Sequence, residues 1–197
     1  MCPASNNPED EEQALHPAQE LVRDVFFSKL RQVSCLEDIQ ISSFALDEPI
    51  YAHNMAVILL HGEPIRFVLK VHYQTLDAKK MVAHRSSQPV DSISDQIVKD
   101  FMRETINVVA GSIKLNLLEQ GIITGIGIPF VTKGFDELMF TDVLQDQEIH
   151  DSSVLYWDNG KIFLSTVVKI MQPELFENYQ YNSADSLIDE NEDGEFL

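Results

Sequence analysis

Cysteine is almost absent from this chain: Cys2 and Cys35 are the only two in 197 residues, too few for a disulfide framework. Basic residues are scarce as well. Fourteen Lys and Arg face 32 Asp and Glu, and the net charge of −18 argues against a surface built to hold nucleic-acid phosphates or anionic lipid. No apolar run approaches membrane-spanning length, and the start "MCPASNNPEDEE" has neither the basic nor the apolar part of a signal peptide. The expected setting is cytoplasmic, with no nucleic-acid partner and no membrane insertion. The usual catalytic signatures are missing too, since there is no P-loop and no nucleophile-elbow serine. The six histidines are scattered, so no metal site is expected. The glycines of "GIITGIGIP" follow a helix and open a strand, the reverse of a phosphate-cradling loop.

What is present is enough for one sizeable core, with 44% hydrophobic residues. The acids cluster at the two ends: Glu9 to Glu12 at one, and Asp185, Asp189, Glu190, Glu192, Asp193 and Glu195 at the other. Such segments bury too little apolar surface to offset their ordering entropy. Residues 1–15 therefore read as a disordered acidic tail, 16–172 as the folded domain, and 173–197 as an extension ending in a second acidic tail.

Periodicity orders the domain. "AQELVRDVFFSKLRQV" predicts a helix ending before Cys35, and a strand follows near 39–47. Residues 53–61 and 64–73 read as a hairpin around "HGEP". Thr75 and Asp77 are expected to cap a second helix through "LDAKKMVAH", and 85–92 reads as a polar, proline-bearing loop. A long helix then runs from its cap at Ser94 to a stop at Gly121. "IITGIGIPFV" reads as one strand, and "DSSVLYWDNGKIFLSTVVKI" as a hairpin turning at Asp158-Asn159-Gly160. Strand runs interrupted by a helix pair predict an α+β fold, with helices layered on one face of a largely antiparallel sheet.

The long helix carries the one unusual pattern. Val98, Met102, Val109 and Ile113 form its apolar side, while Asp100, Glu104, Asn107 and Gly111 stack opposite within roughly 60° of arc. Lys99, Arg103 and Lys114 border that line. A polar face opposite a core stripe is ordinarily a solvated one. Asn and Gly in a helix interior, however, cost roughly 0.5 and 1 kcal/mol relative to Ala, which calls for a function or a close contact. A rigidly held carboxamide can donate and accept at once, and so can orient a water without acting as a base.

The assembly Asp100, Glu104, Asn107, followed by Pro129, resembles the motif of the CheC/CheX/FliY phosphatases, which act on the phosphorylated chemotaxis response regulator CheY. In that pattern an acid or serine precedes a glutamate by four residues, an asparagine follows three later, and a proline follows some twenty-odd residues on. Glu104-x-x-Asn107 is the only copy in the chain, as in CheX. The resemblance implies a CheX/CheC-like fold over about residues 17 to 170. It implies Glu104 and Asn107 as catalytic residues, Glu104 bridging to the receiver's lysine and Asn107 positioning water against the aspartyl phosphate. It also implies a homodimer, no cofactor of the chain's own, and Mg2+ held by the partner receiver. Asp100, Lys99, Arg103, Gly111 and Lys114 are the expected partner-binding residues. Ile106 departs from the small residue expected beside the asparagine, and its bulk is expected to crowd that side chain. The alternative reading is a non-catalytic CheX-like module that binds receiver domains or flagellar-switch components.

Overall fold

A computed structural model describes residues 16–44, 50–134, 148–158 and 160–176. The acidic tail at 1–15, most of the C-terminal extension and the turn residue Asn159 lie outside the described residues.

Helix α1, Pro17–Ser34, starts where the sequence puts it, with Pro17 in the first turn, where its missing N–H costs nothing. His16 caps it: Nδ1 accepts from the Ala18 N–H at 3.1 Å, and Gln19 Oε1 accepts from the His16 N–H at 2.8 Å. Burial lowers the His16 pKa, which favours the neutral ring that this acceptor role requires. Helix α2, Thr75–Ser86, departs from expectation at its start. Its cap position is Gln74, which makes no side-chain capping bond. Thr75 instead accepts a hydrogen bond from Asn54 Nδ2 at 2.9 Å, and Asp77 accepts from the Lys161 N–H at 3.4 Å and faces Lys80. Both side chains hold α2 to strands, not to its own first turn. The polar loop is also shorter than expected, since α2 reaches Ser86 and a 3-10 turn spans Val90–Ser92. Helix α3, Asp95–Glu119, has the expected Ser94 cap, whose Oγ accepts from the Ile97 N–H at 3.3 Å. It stops at Gly121, where φ is +77°. There the Ile122 N–H donates to Leu117 O at 2.8 Å and the Gly121 N–H to Leu118 O at 2.9 Å, with buried Ile122 packed beside the closing turn.

The strands are β1 Gln40–Ser43, β2 Asn54–His61, β3 Ile65–Tyr73, β4 Gly125–Ile126, β5 Phe130–Lys133, β6 Glu148–Trp157 and β7 Gly160–Ile170. They form one antiparallel sheet in the order β1-β6-β7-β3-β2-β4, with β5 continuing the edge beyond β2. The single strand expected from "IITGIGIPFV" is broken in two. Ile126 pairs with Leu60 and Phe130 with Val57, so four steps on the edge strand answer three on β2. That extra residue is a β-bulge over Gly127–Pro129, a place where proline's missing donor is tolerated.

Alternation divides the sheet. Ala56, Ile58 and Leu60, with Phe67, Leu69 and Val71 across from them and Leu164 and Val168 beyond, face the helices in one buried cluster. Helix α1 lies over β6 and β7, and α3 over β2, β4 and β5. Phe176 also belongs to that cluster, so the core continues past residue 172.

One ion pair ties the layers together. Arg23 of α1 grips Asp151 of β6 with two bonds, Nε to Oδ2 at 2.7 Å and Nη2 to Oδ1 at 2.5 Å, and Nη1 donates to Ser43 Oγ of β1 at 3.1 Å. Asp151 is buried and Arg23 nearly so. Removing one partner strands the other, so Asp151→Ala should cost about 3 kcal/mol in urea unfolding, whereas Arg23→Met with Asp151→Leu should recover most of that loss.

Candidate functional site

The rotation of α3 about its axis is set by what it buries: Val98, Met102, Thr105, Ile106, Val109, Ala110, Ile113, Asn116 and Leu117. The two buried polar residues satisfy themselves within the helix. Thr105 Oγ1 donates to Phe101 O at 2.8 Å, and Asn116 Nδ2 to Ser112 O at 3.0 Å. Asp100, Glu104 and Asn107 are consequently turned outward and exposed, and Gly111 is half-exposed in line with them. The sequence-derived line is thus one surface stripe.

Its members differ in how they are held. Asp100 is fixed, accepting from Gln96 Nε2 at 2.8 and 2.9 Å and from Arg103 Nη1 at 3.0 Å. Arg103 is thereby tied back along the helix, while Lys99 and Lys114 lie half-buried along the same border. Burial pushes the pKa of the Tyr73 hydroxyl up to about 12, an effect that the charge of Arg103 partly offsets. Glu104 and Asn107 have no hydrogen-bond or ion-pair partner among the described residues. One turn apart on a rigid helix, they present an acceptor-only carboxylate and a carboxamide that both donates and accepts. Among the described residues no group of three or more His, Cys, Asp or Glu is placed to hold a metal ion. No helix among them is long and apolar enough to cross a membrane.

Two residues that bear on the motif behave differently from what the sequence suggests. Ile106 does not crowd Asn107: it points into the core and is fully buried. Gly111 has no close packing among the described residues to account for it, since a Cβ built there meets none of them within 4 Å. The stripe also contains apolar residues that the sequence analysis does not single out. Ile97, Leu115 and Leu118 are exposed, at 44%, 57% and 48%. At 100° per residue they fall within about 60° of Asp100, which was the available signal.

No protein-family model and no curated protein matches the sequence. Solved structures do match. CheX from Vibrio vulnificus aligns over 75% of this chain and 99% of its own, with a TM-score of 0.58 at 15% identity. A CheX–CheY–BeF3–Mg2+ complex from Borrelia burgdorferi aligns over 79% and 99%, with a TM-score of 0.61 at 16% identity. This is the CheX fold. FliY from Thermotoga maritima shares it, with a TM-score of 0.54 at 12% identity over 84% of this chain and 94% of that one. The expected α+β architecture, with helices on one face of an antiparallel sheet, is the one found.

Within this CheX fold the adjacent positions 106 and 107 separate cleanly. Ile106→Ala opens a core cavity and should cost about 2–5 kcal/mol, read from chemical denaturation. Gly111→Ala should do the opposite, raising stability by roughly 0.5–1 kcal/mol in the same measurement, because the added methyl enters open space on a helix.

Proposed function

We propose that this chain is a phosphatase for the aspartyl phosphate of a CheY-like receiver domain, with Asn107 and Glu104 as its working residues. The observation that carries the reading is the pair itself: two polar side chains, unpartnered among the described residues, one turn apart on the exposed stripe of α3, in a CheX fold. A structure of that fold has been solved together with CheY, BeF3 and Mg2+, which supports a receiver as the partner.

The chemistry needs little from the phosphatase. Water oxygen forms a bond to phosphorus as the bond to the aspartyl oxygen breaks, leaving inorganic phosphate and a free carboxylate on the receiver. Such transfers are accelerated by positioning and by charge stabilisation. The receiver supplies Mg2+. Asn107, held by a helix anchored on both sides of it, accepts one hydrogen bond from the water and donates to a phosphoryl oxygen, fixing the line of attack. Glu104 meets the receiver's lysine as a charge-assisted pair formed on docking. Asp100, already satisfied by Gln96 and Arg103, stiffens the stripe and takes no chemical step.

The test is phosphate release from a phosphorylated receiver, followed over a range of receiver concentrations. Asn107→Ala should keep the fold and the receiver affinity but lose roughly 100-fold or more in kcat, the loss seen when one transition-state donor is removed. Asn107→Asp should fail equally, since it replaces the donor with negative charge beside the phosphoryl oxygens. Glu104→Ala should raise KM about tenfold or more as well. Near-normal release by a folded Asn107→Ala protein rejects the mechanism. Intact receiver binding with no acceleration by the unmodified chain leaves a docking module only.

A further inference from the structure

The stripe on α3 is not polar throughout. Glu104 and Asn107 occupy its middle, Gly111 leaves an open saddle beside them, and exposed Ile97 stands on one side with exposed Leu115 and Leu118 on the other. Single exposed apolar residues on a surface need no explanation. Three in line with an unpartnered polar pair do. We propose that Ile97, Leu115 and Leu118 are the apolar anchors by which the receiver seats itself on α3, adding affinity to the Glu104 contact while Asn107 supplies chemistry. The proposal rests on the functional reading above and names where its binding energy comes from.

Geometry supports that occupant. With a rise of about 1.5 Å per residue, Leu115 lies about 12 Å along the helix from Asn107, Ile97 about 15 Å and Leu118 about 17 Å. An interface of ordinary size covers about 800 Å² on each partner, a disc of about 16 Å radius. A protein that brings a phosphorylated aspartate onto Asn107 therefore covers Ile97 and Leu115 and reaches Leu118 at its rim. At Gly111 there is no side chain to hold it off.

Charge argues the same way. The chain carries −18, and a phosphorylated receiver brings further negative charge to the contact, so long-range attraction does not hold the two together. Beside the short-range Glu104 contact, apolar contact flanking the polar pair is what holds them. Contacts made equally in the ground and transition states lower KM and leave kcat alone. The anchors and Asn107 should therefore separate kinetically.

The experiment uses the full chain and a purified CheY-like receiver carrying Mg2+ and beryllofluoride, which stands in for the phosphoryl group. Binding is measured by titration calorimetry, and phosphate release is measured in parallel on the phosphorylated receiver. Leu115→Gln with Leu118→Gln keeps two good helix formers and adds no charge. It should weaken receiver binding at least tenfold and raise KM by the same factor, with kcat within twofold of the unmodified chain. Ile97→Gln should act in the same direction, and single Leu118→Gln serves if circular dichroism shows the double variant unfolded. Tyr156→Gln, an exposed site on the sheet face away from the helices, should change nothing.

Unchanged receiver affinity in a folded Leu115→Gln, Leu118→Gln protein overturns the proposal while leaving the role of Asn107 standing. Light scattering adds a second overturning result: a dimer that the double substitution dissociates, with receiver binding unaltered, would assign the anchors to a second copy of this chain. Receiver binding that depends on the two leucines without any phosphate release upholds the anchors and removes the catalytic reading. Absence of receiver binding by the unmodified chain overturns both.

Discussion

Burial of one side of α3 is the constraint on which the rest depends. Seven apolar side chains, from Val98 to Leu117, are sunk against β2 and the neighbouring helices, and together they leave the helix no freedom to turn about its axis. The direction of Asn107 is therefore decided by residues that never approach it on the surface. Rigid placement of a carboxamide is what water positioning requires, because a side chain that has to be ordered during the reaction contributes less than one already in place. The capping bond from Ser94 and the left-handed closure at Gly121 fix where the helix begins and ends, so its position along the axis is as determined as its rotation.

The sheet contributes by offering α3 a bed of the right width. The outermost strand extends the ladder in two pieces, and the bulge between them at Gly127–Pro129 lets it serve two faces at once. Ile126 and Val131 turn toward the helix layer, while Phe130, which an unbroken strand would have aligned with Ile126, turns the other way. On the far side of the domain, the Arg23–Asp151 pair does for α1 what apolar packing does for α3, holding a helix to the strands beneath it.

Much of this was legible in the sequence because burial writes itself as period. The helices, the two hairpins and the polar stripe follow from spacing of 3.6 or 2, and the Ser94 cap from residue type. Features decided by distant partners were not. Thr75 and Asp77 have the chemistry of caps, but Asn54 and Lys161 claim them from elsewhere in the chain, and no local pattern reports that. Pro129 sits within an apolar run that reads as continuous strand, so the extra residue became visible only in the register against β2. Ile97, Leu115 and Leu118 were obscured by chemical type, since an apolar residue on an amphipathic helix is assigned inward unless its angle is worked out. Ile106 was obscured by its neighbour: proximity in sequence suggested crowding, whereas adjacent helical residues point about 100° apart.

That last separation governs how this helix can change over generations. Positions 106 and 107 answer to different selective pressures, one through folding and the other through what the surface touches, although a single codon step divides them. A one-residue insertion between the apolar stripe and Glu104 would swing everything beyond it by about 100° and send the carboxamide toward the core. Seven residues turn the helix through about 700°, within 20° of two full turns, so length variation that spares the site should come in heptads. Side chains on the wet face outside the site can drift in kind, but the helix between Ser94 and Gly121 can change in length only by whole heptads.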